Sequence, residues 1–417
     1  MAPTRRSSPR ISSRAPPGYN HKRIVDGLTL GARYRRNYAG VHDGKEPFYP
    51  PLPLPIPKDI QPADPRGPGL TLNDLECVKA LGRGGNGSVL LVRTRGPAAE
   101  GGSKVFALKA VGKKALRQRE NSEIDNDNSR ERTALVTMDW HPFVCGLLQT
   151  FYDERNIYFL LEYGSGGSFS DLITTQNRPM TPAQMVFYFA NIMCGLEHLE
   201  KSGIVHRDLK PGNILVGADG YLLICDFGPS MFVPEPGAST NPGTSFANGE
   251  GTTMYQAPEA FIDGHRGQPP DVRYGTAIDW WSAGVILYEM ATNEFPYDPQ
   301  SSRKPEQRIA DAGPNIGEEM FALIHSRPFQ WPAQIRVGRK LKNLISGLLT
   351  INANERLGAC GGFDEVRQHP WLVTVDWPRM RRKWYLPPTL DTRPFPDRPS
   401  KPVKRSQYPG LHFVESS

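Results

Sequence analysis

Between His206 and Gly228 the chain reads HRDLKPGNILVGADGYLLICDFG, and four of its side chains could do chemistry together. Asp208 and Asp226 offer carboxylates, Asn213 an amide and Lys210 an ammonium group. Oxygen donors of this kind suit Mg²⁺, which is held by one or two carboxylates and by phosphate oxygens. The ammonium suits the charge of a phosphate chain. Such groups meet only if the segment between them folds back on itself. Ile214-Leu-Val216 and Tyr221-Leu-Leu-Ile224 are short apolar runs separated by Gly217-Ala-Asp-Gly220. That composition predicts two strands paired through a turn, which would gather all four groups at one place.

A second polar set lies upstream. Gly82-x-Gly84-x-x-Gly87-x-Val89 places glycines where backbone can approach phosphates without an obstructing β-carbon. Alone, the spacing also fits a dinucleotide site or a plain glycine-rich turn. Its flanks are strand-like on both sides, Leu75–Leu81 and Val89–Val92, which disfavours the strand-to-helix setting of a dinucleotide fold. Val105–Val111 predicts a further strand, with Val105, Ala107 and Lys109 on one face. Lys109 would then point toward whatever the glycines cover. Taken by itself it could equally be a solvated lysine on an edge strand. Glu131, on a polar helical stretch over about 113–139 that it shares with Leu135 and Met138, is a partner able to hold it.

The elements needed to position these groups follow in order. Strands near 144–152 and 156–162 complete an antiparallel sheet carrying one helix. From Gly164 onward the pattern becomes helical. Thr181-Pro182 predicts a capped helix start, Met185, Phe189, Ile192, Leu196 and Leu199 form an apolar stripe, and Gly203 ends the helix. Asp279–Thr292 is apolar on all sides, as a fully buried helix is. Further helices are expected near 318–325, 340–350 and 363–369. A small β-rich unit thus precedes a larger helical one, with the joint at Glu162-Tyr163-Gly164.

With these residues assembled, the chain resembles a eukaryotic protein kinase over residues 72 to about 372. The match comprises Gly82/Gly84/Gly87/Val89, Lys109, Glu131, HRD at 206–208, Lys210, Asn213, DFG at 226–228 and APE at 257–259. The resemblance implies an α+β, bilobal fold and transfer of the ATP γ-phosphoryl group to Ser/Thr hydroxyls of protein substrates. It implies that Asp208 orients the substrate hydroxyl, Lys210 steadies the γ-phosphoryl group, and Asn213 and Asp226 hold Mg²⁺. Leu81, Gly82, Gly84, Gly87, Val89, Ala107, Lys109, Glu131, Glu162, Leu215 and Asp226 would form the nucleotide site. His206, Phe227, Leu147 and Leu135 would stack into the family's regulatory spine anchored by Asp279, and Arg356 would pair with Glu259. HPFV at 141–144, DWWSAGVILYEM at 279–290, ERLG at 355–358, HPWL at 369–372 and VDW at 375–377 are similar to the AGC group, which includes protein kinase C. Residues 1–71 would then be an extension, 72–163 and 164–372 the two lobes, and 373–417 an AGC-like tail.

Several positions depart from the family pattern. Asn248 occupies the place of the usual phosphorylatable threonine, which deprives Arg207 of its expected anion; Glu250, or phosphate added by an upstream kinase to Thr244 or Ser245, could supply one. Pro229 follows the DFG glycine. Ser168 and Gly212 stand where relatives that favour basic substrates often carry acids, Glu289 keeping one. The tail lacks a paired-phenylalanine motif, LHFVESS offering only Phe413. These departures leave a pseudokinase acting as an allosteric or scaffolding module as the alternative. Cys225 could be a reactive thiol beside ATP, or a small buried residue on a strand.

Composition bounds the rest. The 417 residues carry 22% charged and 38% hydrophobic side chains, without an apolar run long enough to span a membrane. Five scattered cysteines, none in a CxxC pair, point to a reducing compartment, hence an intracellular protein of the cytoplasm or nucleus. The net charge of +7 resides in residues 1–50, where ten Lys/Arg face three Asp/Glu. A nucleic-acid role would rest on that arm alone, and none is expected; a monomer is. Rich in Pro, Arg and Ser, the arm fits a solvated extension, a proline-interrupted organelle presequence or a nuclear-import signal at Arg5-Arg6 or Lys22-Arg23.

Overall fold

The computed structural model describes residues 70–84, 87–95, 104–113, 127–233, 253–261, 275–299, 316–388, 405–408 and 411–413. Strands β1 (Leu75–Gly84), β2 (Gly87–Thr94) and β3 (Val105–Gly112) form an antiparallel meander. Its first turn closes through Gly84 opposite Gly87. Gly87 has φ +131°, and a β-carbon there would lie 2.3 Å from the Ala110 carbonyl oxygen. Helix α1 (Asp127–Thr137) follows, then β4 (Leu147–Tyr152) and β5 (Asn156–Leu161). The helical stretch expected over 113–139 is seen from Asp127; residues 114–126 lie outside the described ones.

The sheet order is β10-β1-β2-β3-β5-β4, where β10 (His412–Phe413) comes from the far end of the chain and lies parallel to β1. Alternation divides the sheet into two faces. Val111 and Phe159 pack with Ala134 and Leu135 of α1 into the main core. Leu108, Ala110, Tyr158 and Leu160 on the other face join Leu75, Cys77, Leu90, Val92, Phe106 and Phe151 in a second cluster.

The helical unit is built on α3 (Pro182–Lys201) and α4 (Ala277–Thr292). Thr181 caps α3 by accepting the Gln184 N–H, with Pro182 in the first turn, and Gly203 beyond the helix end takes φ +65°. Trp280, Ala283, Val285, Ile286 and Leu287 of α4 are all buried, because other helices surround it. Short helix α2 (Phe169–Gln176) precedes α3; α5 (Ile316–Ser326), α6 (Arg339–Leu348) and α7 (Gly362–Val366) complete the core. Arg356, 1% exposed, binds the Glu259 carboxylate through both terminal nitrogens at 2.5 and 2.8 Å, and lies over the Trp281 ring. Its remaining donors reach the Thr350, Ile351 and Ala277 carbonyls.

Strands β7 (Ile214–Val216) and β8 (Leu222–Ile224) pair antiparallel through the expected turn. Strand β8 begins one residue later than Tyr221, whose hydroxyl instead donates to the Tyr385 carbonyl and accepts its N–H. Residues beyond 372 therefore pack on the helical unit. Helix α8 (Trp377–Arg381) places Arg381 on Glu197 of α3 through two bonds of 2.8 and 2.9 Å.

Candidate active site

Asp208 sits between β6 (Ile204–Val205) and a 3-10 turn at Pro211–Asn213. Its Oδ2 accepts from Lys210 Nζ at 2.7 Å and from Asn213 Nδ2 at 2.8 Å. Asn213 also donates to the Asp208 carbonyl. The amide nitrogen is thus spent on Asp208, and the amide oxygen is what Asn213 can offer a cation. Carboxylate, ammonium and amide form one polar cluster at the base of the hairpin.

The second cluster joins sheet to hairpin. Lys109 of β3, 7% exposed, donates to both Glu131 oxygens at 2.7 and 2.8 Å and to Asp226 Oδ1 at 2.9 Å. Burial disfavours its charge, but the two carboxylates outweigh that and hold its pKa above the ordinary lysine value. Burial likewise opposes ionisation of Asp226, and Lys109, with help from His206 and Lys210, holds its carboxyl below the usual range. The Asp226 side chain stays 39% exposed, with Oδ1 bound to Lys109. A buried ammonium between two carboxylates and an accessible carboxylate edge beside an amide oxygen suit a phosphate chain with a hard divalent cation. Among the described residues no set of three or more acidic, His or Cys side chains could hold a metal alone. A cation here would need phosphate or water as further ligands, as Mg²⁺ usually does.

The nucleotide-site expectations fall around this centre. Val89 pairs with Lys109 across β2 and β3, Ala107 is buried two residues before Lys109, and Leu81 is 37% exposed at the end of β1. A β-carbon at Gly82 would meet nothing within 4 Å, so packing within the protein does not require glycine there. At the joint, Glu162 is buried; its N–H donates to the Gly146 carbonyl and its own carbonyl accepts from Cys145 Sγ. Leu215 forms a bridge with Ser168 and approaches Gly164 so closely that a β-carbon there would be 2.6 Å from it. Leu215 is thereby packed against the joint.

The backbone at the site is unusual. Arg207 has φ +68° and Asp226 φ +66°, left-handed conformations that non-glycine residues take at a cost. Asp279 fixes the first by accepting the His206 and Arg207 N–H groups at 2.7 and 3.0 Å. The His206 ring packs edge-on against Phe227, centroids 5.2 Å apart, in the core that also holds Leu135 and Leu147. Arg207 Nε donates to the Pro229 carbonyl and Nη1 contacts Met231 Sδ. Pro229, noted in the sequence only as atypical, thus supplies an acceptor for Arg207. Thr244, Ser245, Asn248 and Glu250 lie outside the described residues.

Two expectations change in detail. Cys225 lies just after β8 and is half-buried, not on the strand, and burial pushes its thiol well above its ordinary value, which fits the inert reading. Ser168 caps α2, bonding Asp171 reciprocally. Sequence reasoning missed the Tyr255–Glu289 contact, in which the tyrosine hydroxyl donates at 2.7 Å and burial raises the Glu289 carboxyl to about 7. Only an acid inside an otherwise apolar helix hinted at it.

A β-rich lobe joined to a helical lobe, with this double cluster between them, defines the class: the chain belongs to the protein kinase family, whose description "Protein kinase domain" matches residues 75–372. Among its relatives, Protein kinase 2 of Dictyostelium discoideum is 34% identical over 75% of this chain and 56% of that protein. Serine/threonine-protein kinase gad8 of Schizosaccharomyces pombe is 33% identical over 76% and 49%. Protein kinase C zeta type of Oryctolagus cuniculus is 30% identical over 77% and 49%. The chain spans about half the length of these relatives. Among the described residues no helix is long and apolar enough to cross a membrane.

Proposed function

We propose that the chain is a serine/threonine protein kinase that transfers the γ-phosphoryl group of ATP to Ser/Thr hydroxyls of protein substrates. The observation that carries this reading is the bonded set Asp208, Lys210 and Asn213 beside the Lys109–Asp226 pair. Kinases of this family need little covalent chemistry from the protein; positioning and charge do the work. Asp208, with Oδ2 committed to Lys210 and Asn213, would orient the substrate hydroxyl and accept its proton. Lys210 would neutralise charge on the moving phosphoryl group, and Lys109, fixed by Glu131, the α/β-phosphates. Asn213 and Asp226 would hold Mg²⁺, which when bound screens the phosphate charge. Leu81, Val89, Ala107, Leu215 and the Glu162 backbone would enclose the adenine, and Gly82, Gly84 and Gly87 would let backbone approach the phosphates.

The domains follow the same proposal: an extension to residue 71, lobes over 72–163 and 164–372, and a tail over 373–417. An upstream kinase acting on Thr244 or Ser245 would strengthen the hold on Arg207, and the protein would work inside the cell as a monomer. A peptide array phosphorylated with Mg·ATP, run beside Asp208→Asn, tests the reading. Loss of the general-base carboxylate should cost about 10²–10⁴-fold in rate. Equal signal from both proteins would overturn the catalytic assignment.

A further inference from the structure

Helix α1, which carries Glu131, is tied at its end to a histidine of α3. The Met138 N–H still bonds the Ala134 carbonyl in helical fashion. One residue further on, the Asp139 carbonyl accepts from His198 Nε2 at 2.8 Å. A carbonyl only accepts, so the His198 proton sits on Nε2 and a second proton could enter only at Nδ1. His141 lies flat against this ring, with centroids 4.4 Å apart and planes within 5° of parallel. Its own Nδ1 accepts the Phe143 N–H at 3.4 Å, and Phe143 is wholly buried. Two stacked imidazoles, each needed in its uncharged form, thus fasten the segment 138–143 to α3.

We propose that His198 is a positioning residue for the Glu131–Lys109 pair, and that its stack with His141 opens on acidification. The charged groups around His198 are Asp139 on the segment and Glu197 and Lys201 on its own helix. Glu197 is already bound to Lys201 and Arg381. Burial lowers the His198 pKa below the ordinary 6.5; the bond to the Asp139 carbonyl and the Asp139 charge oppose this, Lys201 adds to it and Glu197 opposes it. The unfolded chain therefore takes up a proton at a higher pH than the folded one. The stabilisation from the uncharged ring is complete above about 6.5 and is lost as pH falls through the lower folded value. A further proton on His141 would set two like charges face to face, which also favours separation. Once the rings part, the Asp139 carbonyl loses its tie to the helical lobe. Glu131, about two turns earlier on α1, is then held less firmly beside Lys109. The consequence for catalysis rests on the phosphotransferase reading above; the opening itself does not.

Amide hydrogen exchange of the full chain, expressed as protection factors at pH 7.5 and 5.5, tests the opening. One ring kept uncharged in the fold shifts its equilibrium by at most about tenfold one unit below 6.5. Protection over 138–143 should therefore fall by about three- to tenfold, while α6 keeps its own. His198→Tyr retains an aromatic ring and a hydroxyl donor for the Asp139 carbonyl, and stays uncharged at both pH values. Its protection over 138–143 should change less than twofold. Its kcat for phosphorylation should lie within threefold of the unaltered chain at pH 7.5 and fall at least threefold less on going to pH 5.5. Equal pH dependence of protection in the two proteins overturns the opening, and matching kcat profiles overturn the positioning role. Exchange needs no activity, so its outcome is told apart from a failure of the phosphotransferase reading. If His198→Tyr does not fold, His141→Phe replaces it. A smaller loss of protection than in the unaltered chain is then expected, and an equal loss is the contrary result.

Discussion

At the scale of single residues, charge and burial set two measurable consequences. Lys109 donates to both oxygens of the 1%-exposed Glu131 carboxylate. Removing one partner of a buried pair leaves the other uncompensated. Lys109→Met should therefore lower ATP-dependent phosphorylation at least a hundredfold and also reduce thermal stability. A steady-state assay and a melting curve read the two effects, and full activity would refute the role given to Lys109. Glu289 carries the pH dependence. Its folded pKa of about 7 exceeds the ordinary 4.5 because burial disfavours the carboxylate, so the folded state holds a proton that the unfolded state has released between those values. The stabilisation from that proton is complete below about 4.5 and is lost as pH rises through about 7. Glu289→Gln keeps an acceptor for the Tyr255 hydroxyl and cannot ionise. Its melting temperature should exceed that of the unaltered chain at pH 8, and the gap should narrow at pH 5; a constant gap would exclude Glu289 as the titrating group. Side-chain identities at the site were legible because residue type and order specify them. The left-handed backbone of Arg207 and Asp226 was not, since it is imposed by Asp279 and the surrounding core and leaves no glycine signal in the sequence.

At the scale of elements, the strands and the long helices were readable from alternation, capping and apolar runs. Thr181-Pro182 and the mostly apolar Asp279–Thr292 announced their helices for reasons that operate within a few residues. The parallel addition of β10 to β1 was not readable, because two residues carry no period and their partner lies more than 300 positions away. Buried ions also join elements distant in sequence. Arg356 ties the Glu259 turn to the start of α4 and to the Thr350–Ile351 loop, so its loss would expose several acceptors at once. Arg356→Ala should cost about 3–5 kcal/mol by stranding the Glu259 charge. In a chain of this size that lowers the melting temperature by roughly 3–6 °C. Arg356→Lys, which cannot reproduce the two-point contact, should recover only part of the loss. A melting curve within 2 °C of the unaltered protein would show the pair to be dispensable.

At the scale of the molecule, the residues after 372 act on both lobes. The terminal segment covers the sheet, while the part before it braces the β7–β8 hairpin from behind. Lys383, itself at φ +56°, bonds Asp219 Oδ2 in the β7–β8 turn at 2.9 Å and lies against the Phe143 and Tyr221 rings. Both side chains are only 10–11% exposed. Phe143 precedes β4, Tyr221 leads into β8, and Tyr385 exchanges hydrogen bonds with Tyr221. One cation therefore fixes the hairpin that carries Asn213 at one end and Asp226 at the other. If that brace sets the separation of the two proposed Mg²⁺ ligands, loosening it should act on turnover more than on substrate binding. Lys383→Ala and Asp219→Ala should each destabilise the fold by about 1–3 kcal/mol, the cost of leaving a buried charged group without its hydrogen bond. Because the two share one interaction, the double variant should lose less than the sum, with a coupling of about 1–2 kcal/mol. In phosphorylation kinetics all three should lower kcat while KM for ATP moves less than threefold. Additive stability losses, or a fall in kcat/KM that lies wholly in KM, would mean that Lys383 packs against the hairpin without positioning it.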